Sequence, residues 1–254
     1  MARMKSPLKD AHEFKSLAVL KELFPEKSIV DSYYLQSGQI EVGLAAADRL
    51  VVAHTSKYPV YEFWWTVKQG APRIAAMAQS VFNQLEEEMF PVLQENWHSY
   101  KDPIYRSALF FILNRCSEKG LASAGRIDKA GFNPICLSRL RKFQTDNLYV
   151  LLDKTPGISD KNQTIQSDFK LFVAGKFGYN LLDESYASGH DQTYVNHHEL
   201  FKRLNTVDGQ WVVLYKKHPA IIEKFGGYNI TMVNKYGRRT DKLDMCEDIL
   251  IANF

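Results

Sequence analysis

The sequence has few cysteines, no long apolar run and almost no net charge, and each shortage excludes a class of protein. Its three cysteines, Cys116, Cys136 and Cys246, are far apart and form no CxxC or Cys/His spacing, which argues against a disulfide framework or a zinc module. The longest apolar run, Ala108 to Leu113, is far shorter than the ~20 residues of a membrane span. Lys and Arg number 32 and Asp and Glu 29, so the net charge of +3 names no partner.

The N-terminal residues and the histidines exclude two further classes. Residues 1–7 carry charge with no apolar stretch after them, unlike a secretory signal. His190, His197 and His198 are the only histidines close together in sequence, and neighbouring acids complete no familiar ligand spacing, so no metal is expected. We expect a reduced, cytoplasmic protein without a membrane partner. If the chain is phage-encoded, the host-cell cytoplasm or the virion is the expected location.

The charges that are present are unevenly distributed. Residues 81–100 carry four Glu and no Lys or Arg. Residues 101–150 carry nine basic and four acidic residues, and residues 201–240 carry eight and two. Two basic stretches in a nearly neutral chain predict one basic face if the fold brings them together. The alternative is two separately solvated surfaces.

Hydrophobic periodicity predicts an α/β fold. Strand-like stretches at 28–34 and 50–53, joined by a short helical segment at 40–47, make a β-α-β start, which favours a parallel sheet with helices on its faces. Residues 1–60 and 146–254 are predicted to form the sheet domain, and residues 61–145 a helical insertion. Later strands are predicted at 148–152, 170–174, 211–215, 229–233 and 249–253.

Several segments resemble the Dam-type DNA adenine-N6 methyltransferases. That family has a helix ending in Leu-Asn-Arg, as in Leu113-Asn114-Arg115, and an Ile-x-Arg-Leu-x-x-Phe segment similar to residues 137–143. Residues 196–204, 208–215 and 247–254 extend the resemblance in the family's order, so that it covers about residues 14–254. The resemblance implies a Rossmann-like methyltransferase sheet that binds S-adenosylmethionine and a helical target-recognition insertion. It also implies an extruded adenine held at an Asp-Pro-Pro-Tyr motif.

The residues that would carry the family's chemistry are missing. Aligned by its flanking segments, the motif falls on Ala174, Gly175, Lys176 and Phe177, so no acidic side chain accepts a hydrogen bond from the adenine amine. A second placement, at residues 153–156, keeps an Asp and one Pro but lacks the stacking aromatic. Both placements are degenerate. We therefore predict no catalytic residues and favour a pseudoenzyme over an active enzyme.

The cofactor motifs are changed as well. The family's Gly-Gly-Lys loop matches residues 13–15, its glycine-rich turn matches residues 31–38 with side chains in place of glycines, and its ribose-binding Asp-x-Asn matches residues 54–56, His-Thr-Ser. We expect no cofactor. S-adenosylmethionine would be the cofactor of the alternative, an active adenine methyltransferase with divergent motifs. The candidate contacts, if a pocket survives, are Lys15, Asp31 and Gly38.

These losses predict a protein that keeps a DNA-facing surface without the chemistry. Its expected partner is DNA, duplex or single-stranded, whose phosphates Lys and Arg bind in a salt-dependent way. Candidate contacts lie in the recognition-like segment and at the former catalytic mouth: Asn114, Arg115, Lys119, Arg126, Arg139, Arg141, Lys142, Lys216 and Lys217. Candidate base-stacking residues, for which core packing is the commoner role, are Tyr33, Tyr34, Phe177 and Tyr179.

A structural or partner subunit without nucleic-acid contact is the remaining alternative. Such a protein would pair with an active methyltransferase, form an oligomer or take part in viral assembly. The acidic segment around residues 86–88 would then be a candidate interface or simply a solvated face.

Overall fold

A computed structural model describes residues 4–153, 166–177 and 195–254. These residues contain one seven-stranded sheet in the order β3-β2-β1-β4-β5-β7-β6. The first five strands in that order are parallel to one another, and β7 runs antiparallel to both β5 and β6. The strands are β1 Ile29–Tyr33, β2 Leu50–Thr55, β3 Leu148–Leu152, β4 Phe169–Gly175, β5 Gln210–Lys216, β6 Asn229–Asn234 and β7 Cys246–Ala252.

Eight α-helices accompany the sheet in the described part of the chain. The longest, α3, is broken at Gly70, where φ is −166° and ψ is 48°, and it contains Pro72 two residues later. No helix among the described residues has the length and apolar character needed to cross a membrane. The helices are α1 Leu17–Leu23, α2 Gln39–Ala45, α3 Tyr58–Phe82, α4 Met89–Asn96, α5 Pro103–Cys116, α6 Pro134–Arg141, α7 His197–Leu204 and α8 Pro219–Lys224.

Two hydrophobic clusters lie on opposite faces of the sheet. Successive side chains of a strand point to opposite faces, and in β4 Leu171 belongs to the larger cluster while Phe172 belongs to the smaller one. The larger cluster takes residues from α1, α2, α3, α5 and α6, and the smaller one from α7 and α8. The protein is therefore a mixed α/β protein with helices on both faces of a mostly parallel sheet. This confirms the predicted α/β class and is compatible with a Rossmann-like fold.

The helical segment shares the larger core with the sheet. Phe63 of α3 lies 5.2 Å from Phe110 of α5 between ring centroids, and Trp64 lies 5.5 Å from Phe143, beyond the end of α6. All four side chains belong to the same buried cluster as Val51 of β2. The division into a sheet domain and an insertion at residues 61–145 stays a prediction.

The strand order reverses at β1, which has β2 on one side and β4 on the other. In open parallel sheets, ligands bind outside the carboxyl ends of the strands at such a switch point. The carboxyl ends of β1 and β4 are Tyr33 and Gly175. A ligand site is therefore expected at this edge of the sheet.

Candidate functional site at the sheet switch point

A histidine at the carboxyl edge of the sheet is held between two carboxylates. In His54 on β2, Nε2 lies 2.5 Å from Oδ1 of Asp31 on β1, and Nδ1 lies 2.6 Å from Oδ2 of Asp153, which follows β3. Because ionised carboxylates only accept hydrogen bonds, this arrangement favours the imidazolium form of His54, in which both ring nitrogens donate. Burial lowers the pKa of His54, but the hydrogen bonds and charges of Asp31 and Asp153 outweigh it, and the net pKa is raised.

Tyr33 completes this network. Its hydroxyl donates to Oδ2 of Asp31 at 2.7 Å. Its ring stacks on His54 with centroids 4.7 Å apart and on Phe172 with centroids 5.0 Å apart. Both oxygens of the buried Asp31 carboxylate therefore have protein partners, and Tyr33 packs in the smaller cluster instead of presenting a free face to a base.

Side chains fill the turn that follows β1. Tyr34 has a φ of +70° and is buried, and the fully buried Leu35 donates its amide to the His54 carbonyl at 2.9 Å. Gly38 precedes α2 with a φ of +66°, and a Cβ atom there would lie 2.5 Å from the ring of Trp64. The glycine thus admits a protein ring where the family resemblance implies a cofactor.

A small cavity remains between this turn and β4. It offers about 10 Å³ to the centre of a water molecule, room for about one water, whereas pockets for drug-sized ligands measure about 300–1,000 Å³. The buried Glu41 carboxyl lines it and accepts a hydrogen bond from the Ser32 hydroxyl at 3.0 Å. Burial raises the pKa of Glu41 to about 7. Other lining residues include Asp10, His12, Gln36, Ser37 and Val173.

The His12 imidazole covers the end of β4. Gly175 has a φ of +75°, and a Cβ atom there would lie 2.7 Å from Nε2 of His12. Burial lowers the pKa of His12, and although the charge of Asp10 opposes this, the net shift is downward. At the position where the resemblance implies the first proline of the catalytic motif, the chain therefore packs a neutral imidazole against a glycine.

The other residues of the degenerate motif, Ala174, Lys176 and Phe177, are packed against other side chains or exposed to solvent. Ala174 is buried in the smaller cluster, and Lys176 is exposed. The Phe177 ring lies 5.1 Å from both His197 and His218 between centroids. The alternative motif beyond Asp153 (residues 154–156), His190 and the candidate stacking residue Tyr179 lie outside the described residues.

The three candidate cofactor contacts are used by the protein itself. Asp31 and Gly38 lie at the switch point, one bonded to His54 and the other packed on Trp64. Lys15 lies elsewhere: its backbone amide donates to Asp248 at 2.5 Å, and its Nζ lies 3.8 Å from Oε2 of the exposed Glu13.

Two candidate nucleic-acid residues near the end of α5 bond to the backbone. Asn114 is buried, accepts the Lys9 amide at 2.8 Å and donates to the Gly120 carbonyl at 2.6 Å. Arg115 donates from Nε to the Gly131 carbonyl at 2.9 Å. The Asn114 side chain thus ties the N-terminal segment to the end of α5 and has no exposed surface to offer DNA.

The two candidates at the end of β5 also have partners. Lys216 Nζ lies 2.6 Å from Oδ1 of the fully buried Asp248, which it neutralises. Lys217 is exposed and donates to the Asp244 carbonyl at 3.1 Å. β3 and β5 are separated by β2, β1 and β4, a span of about 19 Å across the sheet. The stretch that ends β5 and the stretch that leads through α6 into β3 therefore do not lie on neighbouring strands.

The remaining basic candidates are exposed. α6 begins at an Asn133 cap, whose side chain accepts two backbone amides, and it buries Leu137 and Leu140. The last turn of α6 and the residue after it leave three cations in solvent, and none of these makes a side-chain hydrogen bond or ion pair with any described residue. These cations are Arg139, Arg141 and Lys142, and Lys119 and Arg126 are exposed on the preceding loop.

Sequence reasoning missed two features. His54 was treated only as a lost ribose contact, although an acidic residue on or just after each flanking strand, Asp31 and Asp153, was the signal for its network. It also missed the exposed aromatic residues Tyr58 and Trp65 of α3. The helical period of the sequence could have shown this, because positions 58 and 65 fall on the side of α3 away from its buried apolar residues.

The comparisons with known proteins name no family. No protein-family model matches the chain, and no curated protein matches it. Fold and site define a mixed α/β protein with a mostly parallel sheet, compatible with a Rossmann-like fold, whose switch point is filled by its own side chains. Any particular family and activity are therefore proposals.

Proposed function

We propose that the chain is a DNA adenine-N6 methyltransferase-like protein that has lost S-adenosylmethionine binding and catalysis and binds nucleic acid through exposed basic residues. The observation that carries this proposal is the Asp31–His54–Asp153 network. In Rossmann-type sites a carboxylate accepts hydrogen bonds from a ribose hydroxyl. Here the corresponding strand end carries His54, whose two ring nitrogens already bind carboxylates.

The loss of catalysis is supported by the end of β4. The exocyclic amine of adenine needs hydrogen-bond acceptors while methyl transfer develops positive charge on its nitrogen. Ala174 supplies no side-chain acceptor, and the His12 ring occupies the space beside Gly175. The chain would then keep the scaffold of a methyltransferase, as phage and mobile-element proteins derived from such enzymes would.

Nucleic-acid binding is supported by three exposed cations at the end of α6, Arg139, Arg141 and Lys142. An Arg or Lys without a protein partner can neutralise a phosphate and release a counterion, which gives affinity that falls with salt and depends little on base sequence. The three cations lie within four residues at the end of a helix that Leu137 and Leu140 anchor in the core.

Binding measurements test this proposal. Filter binding of duplex and single-stranded DNA should weaken steeply between about 50 and 200 mM salt. The combined variant Arg139→Gln, Arg141→Gln, Lys142→Gln should lower the slope of log K against log salt by about 2 to 3. A matched control removes three other exposed cations, Lys235, Arg238 and Lys242, and should leave the slope unchanged. Absent or salt-insensitive binding would contradict the proposal.

Calorimetry with S-adenosylmethionine tests the loss of the cofactor. The closed turn and the paired His54 predict no saturable heat in the micromolar range. Micromolar binding would favour the active methyltransferase instead. Failure of DNA binding in the same preparation would leave the partner-subunit alternative.

A further inference from the structure

We propose that the outer face of α3, together with β3, is a stacking platform for single-stranded nucleic acid, a proposal that rests on the nucleic-acid function above. The platform consists of Tyr58, Tyr61, Trp65 and Lys68 on α3 and Tyr149 on the edge strand β3. Tyr58 is 53% exposed, Trp65 46% and Tyr149 49%. Large exposed aromatic side chains so close together are uncommon on a protein surface that has no partner.

Helix geometry aligns the four α3 residues. Positions 58, 61, 65 and 68 follow steps of three, four and three residues, so they share one helix face over about 15 Å. The opposite face of the same helix enters the core through Val60, Phe63, Trp64 and Val67, all nearly or fully buried. The platform is thus the side of α3 that the fold leaves to solvent.

The aromatic rings at the start of the platform are held in place. The Tyr58 hydroxyl donates to Oε1 of Glu62 at 3.0 Å, and Glu62 accepts from Nε of Arg106 on α5 at 2.8 Å. The rings of Tyr58 and Tyr61 lie 6.4 Å apart between centroids. Rings that are already oriented lose less conformational entropy when they bind a ligand.

Lys68 joins the helix to the edge strand. Its Nζ lies 4.5 Å from the centre of the Tyr149 ring and donates to the Leu148 carbonyl. This contact places the Tyr149 ring beside α3 and extends the platform across two elements.

The charge of this surface favours a polyanion over an apolar or basic partner. The only acidic residue of α3 is Glu62, which is 5% exposed and paired with Arg106. Lys68 and Arg73 are exposed on the same helix. Asp146, just before β3, is exposed and its charge acts on Lys68, but Lys68 and Arg73 outnumber it. Aromatic faces beside these cations match the requirements of unpaired bases and their phosphates. Bases inside a duplex are stacked on one another and cannot use such rings.

Fluorescence anisotropy with a labelled oligo-dT of about twelve nucleotides tests the platform. Trp65→Ala should weaken binding at least about fivefold, since stacking contributes about 1–3 kcal/mol per base. Trp65→Phe keeps a ring and should stay within about threefold of the original affinity. The matched control is Tyr236→Ala, because Tyr236 is 72% exposed beside Lys235 on a distant turn, and it should leave binding unchanged. Circular dichroism melts verify that each variant folds.

The outcomes separate this proposal from the proposed function. If the triple α6 variant weakens DNA binding while Trp65→Ala leaves oligo-dT affinity unchanged, the platform is wrong and the function stands. If the protein binds duplex but no oligo-dT, the conclusion is the same. If it binds neither DNA, both proposals fail.

Tryptophan fluorescence gives a second test of the platform. Trp65 is the exposed tryptophan, whereas Trp64, Trp97 and Trp211 are buried, so quenching of tryptophan fluorescence reports on Trp65. Quenching by a hydrophobic peptide and not by oligo-dT would also overturn the proposal.

Discussion

The switch point of the sheet and the outer face of α3 differ in the exposure of their side chains. At the switch point, Asp31, His54 and Tyr33 satisfy one another, and the ring of Tyr33 is stacked within the protein. On the outer face of α3, the rings of Tyr58 and Trp65 lie open to solvent. The strand order points to the first region as the ligand site, but its side chains are already paired with one another, whereas the aromatic rings of the second region are exposed. Position in the fold alone therefore does not show where a partner can bind.

Adjacent tryptophans of α3 provide the largest expected contrast. Trp64 is fully buried beneath Gly38, whereas Trp65 is half exposed. Trp64→Ala should lower the free energy of unfolding by about 3–5 kcal/mol because it leaves a cavity in the core. Trp65→Ala should change it by less than about 1 kcal/mol. Urea denaturation of the two variants measures both values. Equal losses would show that the outer face of α3 is covered in the folded protein.

A smaller effect is expected from the buried carboxyl at the switch point. The pKa of Glu41 is raised from 4.5 to about 7, so the unfolded chain gives up this proton at lower pH than the folded one. The contribution of Glu41 to stability is thus complete at acid pH and is lost as pH rises from about 4.5 to about 7. Glu41→Gln removes the ionisation and should raise the free energy of unfolding by about 3 kcal/mol at pH 8 relative to the unchanged protein.

Urea denaturation at pH 5 and at pH 8 measures this effect. The difference between variant and unchanged protein should be several times larger at the higher pH. A difference independent of pH would mean that water reaches the Glu41 carboxyl, and that the cavity beside Gly38 is larger than the structure has it.

The architecture was largely predictable because it depends on local patterns. The apolar stretches at 28–34 and 249–253 correspond to β1, Ile29–Tyr33, and β7, Cys246–Ala252. Periodicity does not specify which strands pair. The antiparallel position of β7 between β5 and β6 therefore could not be derived from the pattern of either strand.

The candidate site was less predictable because its contacts join distant parts of the chain. Asp31 lies within β1 and Gly38 in the turn that follows it, and both positions could be derived because a strand and a turn glycine are local signals. His54 and Asp153 are 99 residues apart, and only the pairing of β2 with β3 brings them together. Charge counts likewise could not show that Lys216 neutralises a buried Asp248 while Arg139 stays in solvent.

The most direct measurement is one DNA titration that compares a variant from each region. The combined Arg139→Gln, Arg141→Gln, Lys142→Gln variant and the Glu41→Gln variant are titrated with the same duplex at the same low salt concentration. The triple variant should lose at least about tenfold in affinity, while Glu41→Gln should bind like the unchanged protein. A changed affinity in Glu41→Gln with none in the triple variant would place the DNA contact at the switch point and would overturn the proposed basic surface at α6.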